Sequence, residues 1–136
     1  MKKFILMLFL GLGLCGSALA DNALVSEGVV VQANGKDAAD FKRALILASN
    51  MHHEMPQTKF ELIVFGPSVK LLTAFSDAVP LIQKIQSEGI QIIACGRSLN
   101  TENLKDTDLT SNIKVEPFGA VWLVNRQKQG WQYIKP

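Results

Sequence analysis

Two short runs constrain this chain more than any other feature. Residues 61–65, Glu-Leu-Ile-Val-Phe, and residues 90–94, Ile-Gln-Ile-Ile-Ala, are almost wholly apolar, too short for independent helices and bounded by glycine. A strand with one wet face alternates apolar and polar side chains. Runs with little alternation fit strands covered on both faces, the situation inside a parallel sheet. The flanking sequence supplies the covering helices. Phe41, Ala44, Leu45, Ala48 and Met51 recur at spacings of three and four, which predicts a helix over about residues 37–54 with Asp37 at its N-cap and Pro56 beyond its end. Ala78, Leu81, Ile82 and Ile85 predict a second helix, with Asp77 as its cap, Pro80 in its first turn and Gly89 at its close.

The remaining segments extend the pattern. Val29-Val30-Val31 marks a strand over residues 25–33, closed by the turn pair Asn34-Gly35. A short helical turn is expected over residues 69–75, and residues 100–112 read as polar and irregular. A short strand over residues 113–115 leads through Pro117 and Gly119 to a helix with Ala120, Leu123 and Val124 on one stripe. Gly130 closes that helix, and residues 131–135 form a last strand. Strands alternating with helices give an α/β fold, a parallel sheet with helices on both faces. No repeat, low-complexity tract or linker interrupts it.

The start of the chain has a different character. Lys2 and Lys3 precede an apolar run over residues 4–14, and Ser17-Ala18-Leu19-Ala20 places small residues before the polar Asp21. This is the pattern of a cleaved secretory signal peptide over residues 1–20, leaving one domain over residues 21–136 that is periplasmic or secreted. The apolar run spans roughly 11 residues where a membrane-crossing helix needs about 20, so no membrane anchor is expected after cleavage. Leu14 before Cys15 does not suit lipoprotein processing. Two of the fourteen basic residues would leave with the leader, so twelve basic side chains face twelve acidic ones. A formally neutral domain without a Lys/Arg cluster lacks the electrostatic footprint of nucleic-acid binding. Cys95 then remains as the sole thiol, which excludes an internal disulfide.

In an open parallel sheet, functional groups gather beyond the carboxyl ends of the strands. Three loops qualify: residues 34–36, 66–68 and 95–98. The loop Gly66-Pro67-Ser68 could let the free backbone N–H groups of Gly66 and Ser68 receive an anion at a helix start, with Pro67 preorganising the turn, or serve only as a sharp strand-to-helix turn. Cys95, followed by Gly96, Arg97 and a possible helix start at Ser98, stands where a positive local field would lower its pKa; it could equally be an inert small apolar residue ending the strand. His52 and His53 are adjacent and point about 100° apart on a helix, which does not suit one metal. Asp106, Asp108 and Glu102 lack the remaining ligands of a calcium loop. No metal site and no cofactor motif is assigned. Trp122, Trp131 and Tyr133 read as core or interface aromatics.

The order of these motifs resembles the DsrE/DsrF-like family. Residues 65–72, Phe-Gly-Pro-Ser-Val-Lys-Leu-Leu, residues 89–96 ending in Cys95-Gly96, residues 115–120 around Pro117 and Gly119, and the closing Gly130-Trp131-Gln132-Tyr133-Ile134-Lys135-Pro136 are each similar to a family segment, in order. The resemblance implies a three-layer α/β/α sandwich on a mainly parallel five-stranded sheet, assembly into a homo-oligomer (trimer or hexamer), and relay of sulfane sulfur as a persulfide on a cysteine. That last role maps only onto Cys95. The expectation is an exported sulfur-handling protein, with Gly66, Pro67, Ser68, Gly96 and Arg97 around the anionic sulfur and with donor and acceptor unspecified. The alternative is a non-catalytic oligomeric module that binds a small anion or a partner protein, with Cys95 structural.

Export is directly testable. N-terminal sequencing of the protein recovered from the periplasm or medium should begin at Asp21, within a residue or two; intact Met1 on membrane-embedded material would overturn the leader.

Overall fold

The computed structural model describes residues 28–136, so the expected leader over residues 1–20 and the first residues of the expected opening strand lie outside the described residues. The elements run β1 (Gly28–Ala33), α1 (Ala38–Glu54), β2 (Lys59–Val64), a 3₁₀ helix (Gly66–Leu72), α2 (Val79–Ser87), β3 (Gln91–Cys95), α3 (Gly96–Thr101), a short 3₁₀ turn (Asp106–Asp108), β4 (Ile113–Glu116), α4 (Gly119–Lys128) and β5 (Gln132–Ile134). The sheet has five strands in the order β4-β3-β2-β1-β5, and every neighbouring pair is parallel. The two apolar runs become β2 and β3, at and beside the centre, with Leu62, Ile63, Val64, Ile92 and Ile93 fully buried.

The two faces are covered unequally. On the first, Val29, Val31, Leu62, Val64 and Ile92 pack with Phe41, Leu45 and Ala48 of α1, Ile82 and Ile85 of α2, Leu72 of the 3₁₀ helix and Leu99 of α3. Asp37 caps α1 as its position suggested, its carboxylate accepting the Asp40 N–H at 2.8 Å. Asp77 does not cap α2; the N-cap is Ala78, whose N–H is received by the Ser76 hydroxyl at 3.1 Å. The segment read as irregular, residues 100–112, holds the end of α3 and the second 3₁₀ turn.

The second face holds a smaller cluster of Val30, Ile63, Ile93 and Trp131, covered by Trp122 and Leu123 of α4. This corrects the stripe read for α4. The inward positions are Gly119, Trp122, Leu123 and Arg126, spaced three and four apart, while Ala120, Val121 and Val124 are exposed. Arginine turns inward because β2 offers it a partner. The Glu61 carboxylate, only 4 % exposed, lies on this face and receives Arg126 Nε at 2.8 Å, Arg126 Nη2 at 2.5 Å and Trp122 Nε1 at 3.0 Å. The guanidinium sits 4.3 Å from the Trp122 ring centroid and 4.4 Å from that of Trp131. Glu61 is therefore buried with its acceptors used, as a charged group in a core must be.

A buried pair is costly to break from one side because the surviving charge stays desolvated. Arg126→Met should destabilise the domain by about 3–5 kcal/mol in urea unfolding. Adding Glu61→Gln, whose amide oxygen still accepts the Trp122 N–H, should recover much of that loss. A single-variant cost equal to that of the double would remove the pair from its anchoring role.

Candidate functional site

The carboxyl ends of β1, β2 and β3 are stitched together by two serine side chains. Ser68, 1 % exposed, donates its hydroxyl to the Gly35 carbonyl at 2.7 Å, tying the loop after β2 to the loop after β1. The Gly66 N–H donates to the Ser98 hydroxyl oxygen at 2.9 Å, tying the same loop to the start of α3. Gly66 has φ +52°, a left-handed conformation that glycine adopts without steric cost and that starts the 3₁₀ helix there. Pro67 occupies the first turn, where its missing N–H is not needed.

Cys95 closes β3 and immediately precedes α3, while α4 begins against it from the other side. The Gly119 N–H donates to Cys95 Sγ at 3.4 Å. That approach requires glycine: a Cβ at position 119 would lie 2.8 Å from the Phe65 ring and 3.0 Å from the Cys95 Cβ. Burial, with 2 % of the residue exposed, pushes the thiol pKa up. The Ser98 hydroxyl and the backbone N–H groups of Gly119, Ser98 and Arg97 pull it down, and their sum wins, so the thiol lies below its ordinary value. The thiolate is thus favoured by neutral donors and helix starts, with no cation among these groups.

The surroundings complete the arrangement. Glu116 pairs with Cys95 across β4 and β3, and its carboxylate holds Lys114 at 2.8 Å; the Lys114 ammonium stands 3.9 Å from the Trp122 ring centroid. Arg97 is exposed, with its guanidinium 4.8 Å from the Phe118 ring centroid, and its N–H donates to the Pro117 carbonyl at 3.2 Å. Of the residues proposed from sequence, Cys95, Gly96, Arg97, Gly66, Pro67 and Ser68 all lie at this end of the sheet. The Gly66 N–H and the Ser68 hydroxyl already have partners within the chain, so Gly66 reaches the sulfur through Ser98. Sequence reasoning missed Ser98 and Gly119 as thiol partners. For Ser98 a signal existed, a hydroxyl three residues beyond a thiol at a helix start; for Gly119 the contact spans 24 positions and no local pattern marks it.

A hollow of about 730 Å³ lies elsewhere, at the amino ends of β2 and β3, where His52, Lys59, Gln91 and the Glu61–Arg126 pair line it. His52 Nδ1 is buried there without a hydrogen-bond partner, and its ring packs edge-on to Phe60 at 5.5 Å. Among the described residues, no group of three His, Cys, Asp or Glu side chains could hold a metal ion, and no helix is long and apolar enough to cross a membrane.

Comparison with known proteins follows the same outline. The family model described as the DsrE/DsrF-like family matches residues 22–136. No curated protein matches the chain. Among solved structures, a protein of unknown function from Methanobacterium thermoautotrophicum is similar at 22 % identity and a TM-score of 0.77, covering 82 % of this chain and 100 % of its own. The ychN protein from E. coli is similar at 11 % identity and a TM-score of 0.71, covering 81 % and 99 %. A conserved protein of unknown function from Bacteroides thetaiotaomicron is similar at 18 % identity and a TM-score of 0.66, covering 81 % and 95 %. At these identities the likeness is one of fold.

The thiol environment gives a testable assignment. Thiolate absorbance followed against pH should titrate below the roughly 8.5 of an ordinary thiol. Ser98→Ala should move the midpoint upward, since burial then acts against fewer donors. An unchanged midpoint would show that the Ser98 hydroxyl does not act on the sulfur.

Proposed function

Because the chain belongs to the DsrE/DsrF-like family, which is associated with sulfur relay, we propose that it is an exported sulfur-handling protein carrying sulfane sulfur as a persulfide on Cys95. The observation that carries this reading is the set of donors converging on Sγ, which favours the thiolate, the nucleophilic form. The thiolate attacks the outer sulfur of a polysulfide, thiosulfate or donor persulfide. The sulfur–sulfur bond of the donor breaks, its electron pair leaves with the shortened polysulfide, sulfite or thiolate, and Cys95 keeps the outer sulfur. An acceptor thiolate reverses the step, attacking that sulfur and releasing the Cys95 thiolate. Ser98, backed by the Gly66 N–H, and Gly119 face the sulfur; Gly96 opens the loop, Pro67 and Ser68 fix its neighbour, and Arg97 supplies a counter-charge at the rim. Without a second cysteine in residues 21–136, the persulfide must pass to an external thiol or a neighbouring subunit. Phe118, Val121, Val124 and Tyr133, each 40–49 % exposed on the α4 side, fit a surface for self-association into a trimer or hexamer.

One observation favours the other reading. A thiol 2 % exposed behaves as a small core residue, which suits a non-catalytic module that binds a small anion or partner in the same crevice.

Mass spectrometry of the folded protein separates the two. Incubation with polysulfide or thiosulfate should add one sulfur atom that a reducing thiol removes. Cys95→Ser should abolish the adduct while retaining the fold, because the hydroxyl inherits the Ser98 and Gly119 partners. Absence of any adduct under all sulfur donors would sink the carrier reading and leave the module.

A further inference from the structure

Cys95, the nucleophile of the carrier reading, is only 2 % exposed. The structure locates the obstruction. Pro117 and Phe118, which join β4 to α4, lie directly over the thiol loop: a Cβ on Gly96 would be 3.3 Å from the Pro117 Cα and carbonyl oxygen and from the carbonyl oxygen of Glu116, the last residue of β4. Two polar contacts bind this turn to the loop, the Arg97 N–H to the Pro117 carbonyl at 3.2 Å and the Gly119 N–H to Cys95 Sγ at 3.4 Å. Sulfur is a weak acceptor, and no side chain caps the start of α4. The side-chain contact between the turn and the loop is the Arg97 guanidinium lying on the Phe118 ring, 4.8 Å from its centroid, with Phe118 itself 44 % exposed. Among the described residues no carboxylate forms an ion pair with Arg97, whose exposed guanidinium meets the Phe118 ring.

We propose that residues 117–119 are a cover over Cys95, latched by the Arg97–Phe118 stack and released when an anionic sulfur compound takes the guanidinium. A ligand shifts an equilibrium only through its different affinity for the two states. Arg97 supplies that difference: an oxyanion or terminal sulfur paired with the guanidinium cancels much of the charge that the Phe118 ring attracts, so ion pairing weakens the stack and, by the same linkage, the released guanidinium holds the anion more tightly. The substrate thereby opens its own site, and the compounds admitted are those with a negative end, such as thiosulfate and polysulfide. An unoccupied protein keeps its thiol shielded from oxidants. This inference rests on the carrier reading, since only a thiol that reacts needs a cover that yields.

The test follows Cys95 alkylation by iodoacetamide, an uncharged reagent, in the folded full-length domain, with rates corrected for the thiolate fraction of each variant. Phe118→Leu keeps an apolar side chain but removes the ring, and Arg97→Gln removes the cation; each should speed alkylation about two- to fivefold, the ratio expected for losing an exposed cation–π contact. Sulfate resembles thiosulfate in charge and shape but has no sulfur to transfer, so it reads opening alone. It should accelerate alkylation of the unsubstituted protein beyond chloride at equal ionic strength and leave Arg97→Gln unaffected. Unchanged rates in both variants, or equal sulfate acceleration in Arg97→Gln, would overturn the latch. A persulfide adduct forming normally in such a case would leave the carrier reading intact, whereas a working latch without any adduct would remove the carrier reading alone.

Discussion

The Glu61–Arg126 pair is the contact on which the second face of this molecule depends. One helix covers that face, and a ten-residue amphipathic segment with a glycine and an arginine on its inner side brings little apolar area to the task. Its position is fixed instead by the buried carboxylate on β2, by the indole N–H of Trp122 sharing that carboxylate, and by the two rings flanking the guanidinium. Arg126 stands seven residues beyond Gly119, about two helical turns away. Anchoring the far end of α4 on β2 therefore sets where its first N–H group falls, and it falls on Cys95. The site at one end of the sheet inherits its geometry from an ion pair near the other.

The parallel sheet was legible because its cause is local. A strand covered on both faces must be apolar at nearly every position, and residues 61–65 and 90–94 show that directly. The helix over Ala38–Glu54 was legible for the complementary reason, an apolar stripe with a capping aspartate ahead of it. The fourth helix was misread by one position because the stripe rule counts apolar residues, and here the inward places include glycine and arginine while two valines face outward. What turns Arg126 inward is Glu61, 65 residues earlier, and no periodicity within the helix records it. The same limit separates Cys95 from its partners. Its place at a strand end near a glycine loop could be read from order alone, but the hydrogen bonds that set its acidity come from Ser98, whose hydroxyl is itself aimed by Gly66, and from Gly119 across the sheet edge.

These partners make an unusual balance. A thiol is commonly activated by a neighbouring cation, which also shields the charge of the thiolate from an anionic substrate. Here desolvation opposes ionisation, and neutral hydroxyl and amide donors overcome it. The folded thiol loses its proton at lower pH than the unfolded one, so between the two values the unfolded chain binds more protons and stability rises with pH. A thiolate held this way contributes to the closed structure it belongs to, and the Gly119 N–H that stabilises it also pins the start of α4.

Reactivity and closure are therefore coupled through one atom. Sγ is an acceptor for the first turn of α4, so the group that favours the thiolate belongs to the same turn that covers it. Once the cover lifts, the Gly119 contribution to acidity is lost, but so is part of the burial that opposed ionisation, and the two changes oppose each other. The Ser98 contribution remains, because Ser98 belongs to α3 and is held by Gly66 on the fixed side of the crevice. The division of labour follows from the topology: groups on the β2 and β3 loops keep the sulfur nucleophilic while groups on the β4 to α4 turn decide when it is reachable. A cysteine at the end of any other strand of this sheet would not stand between a stitched pair of loops on one side and the start of the one covering helix on the other.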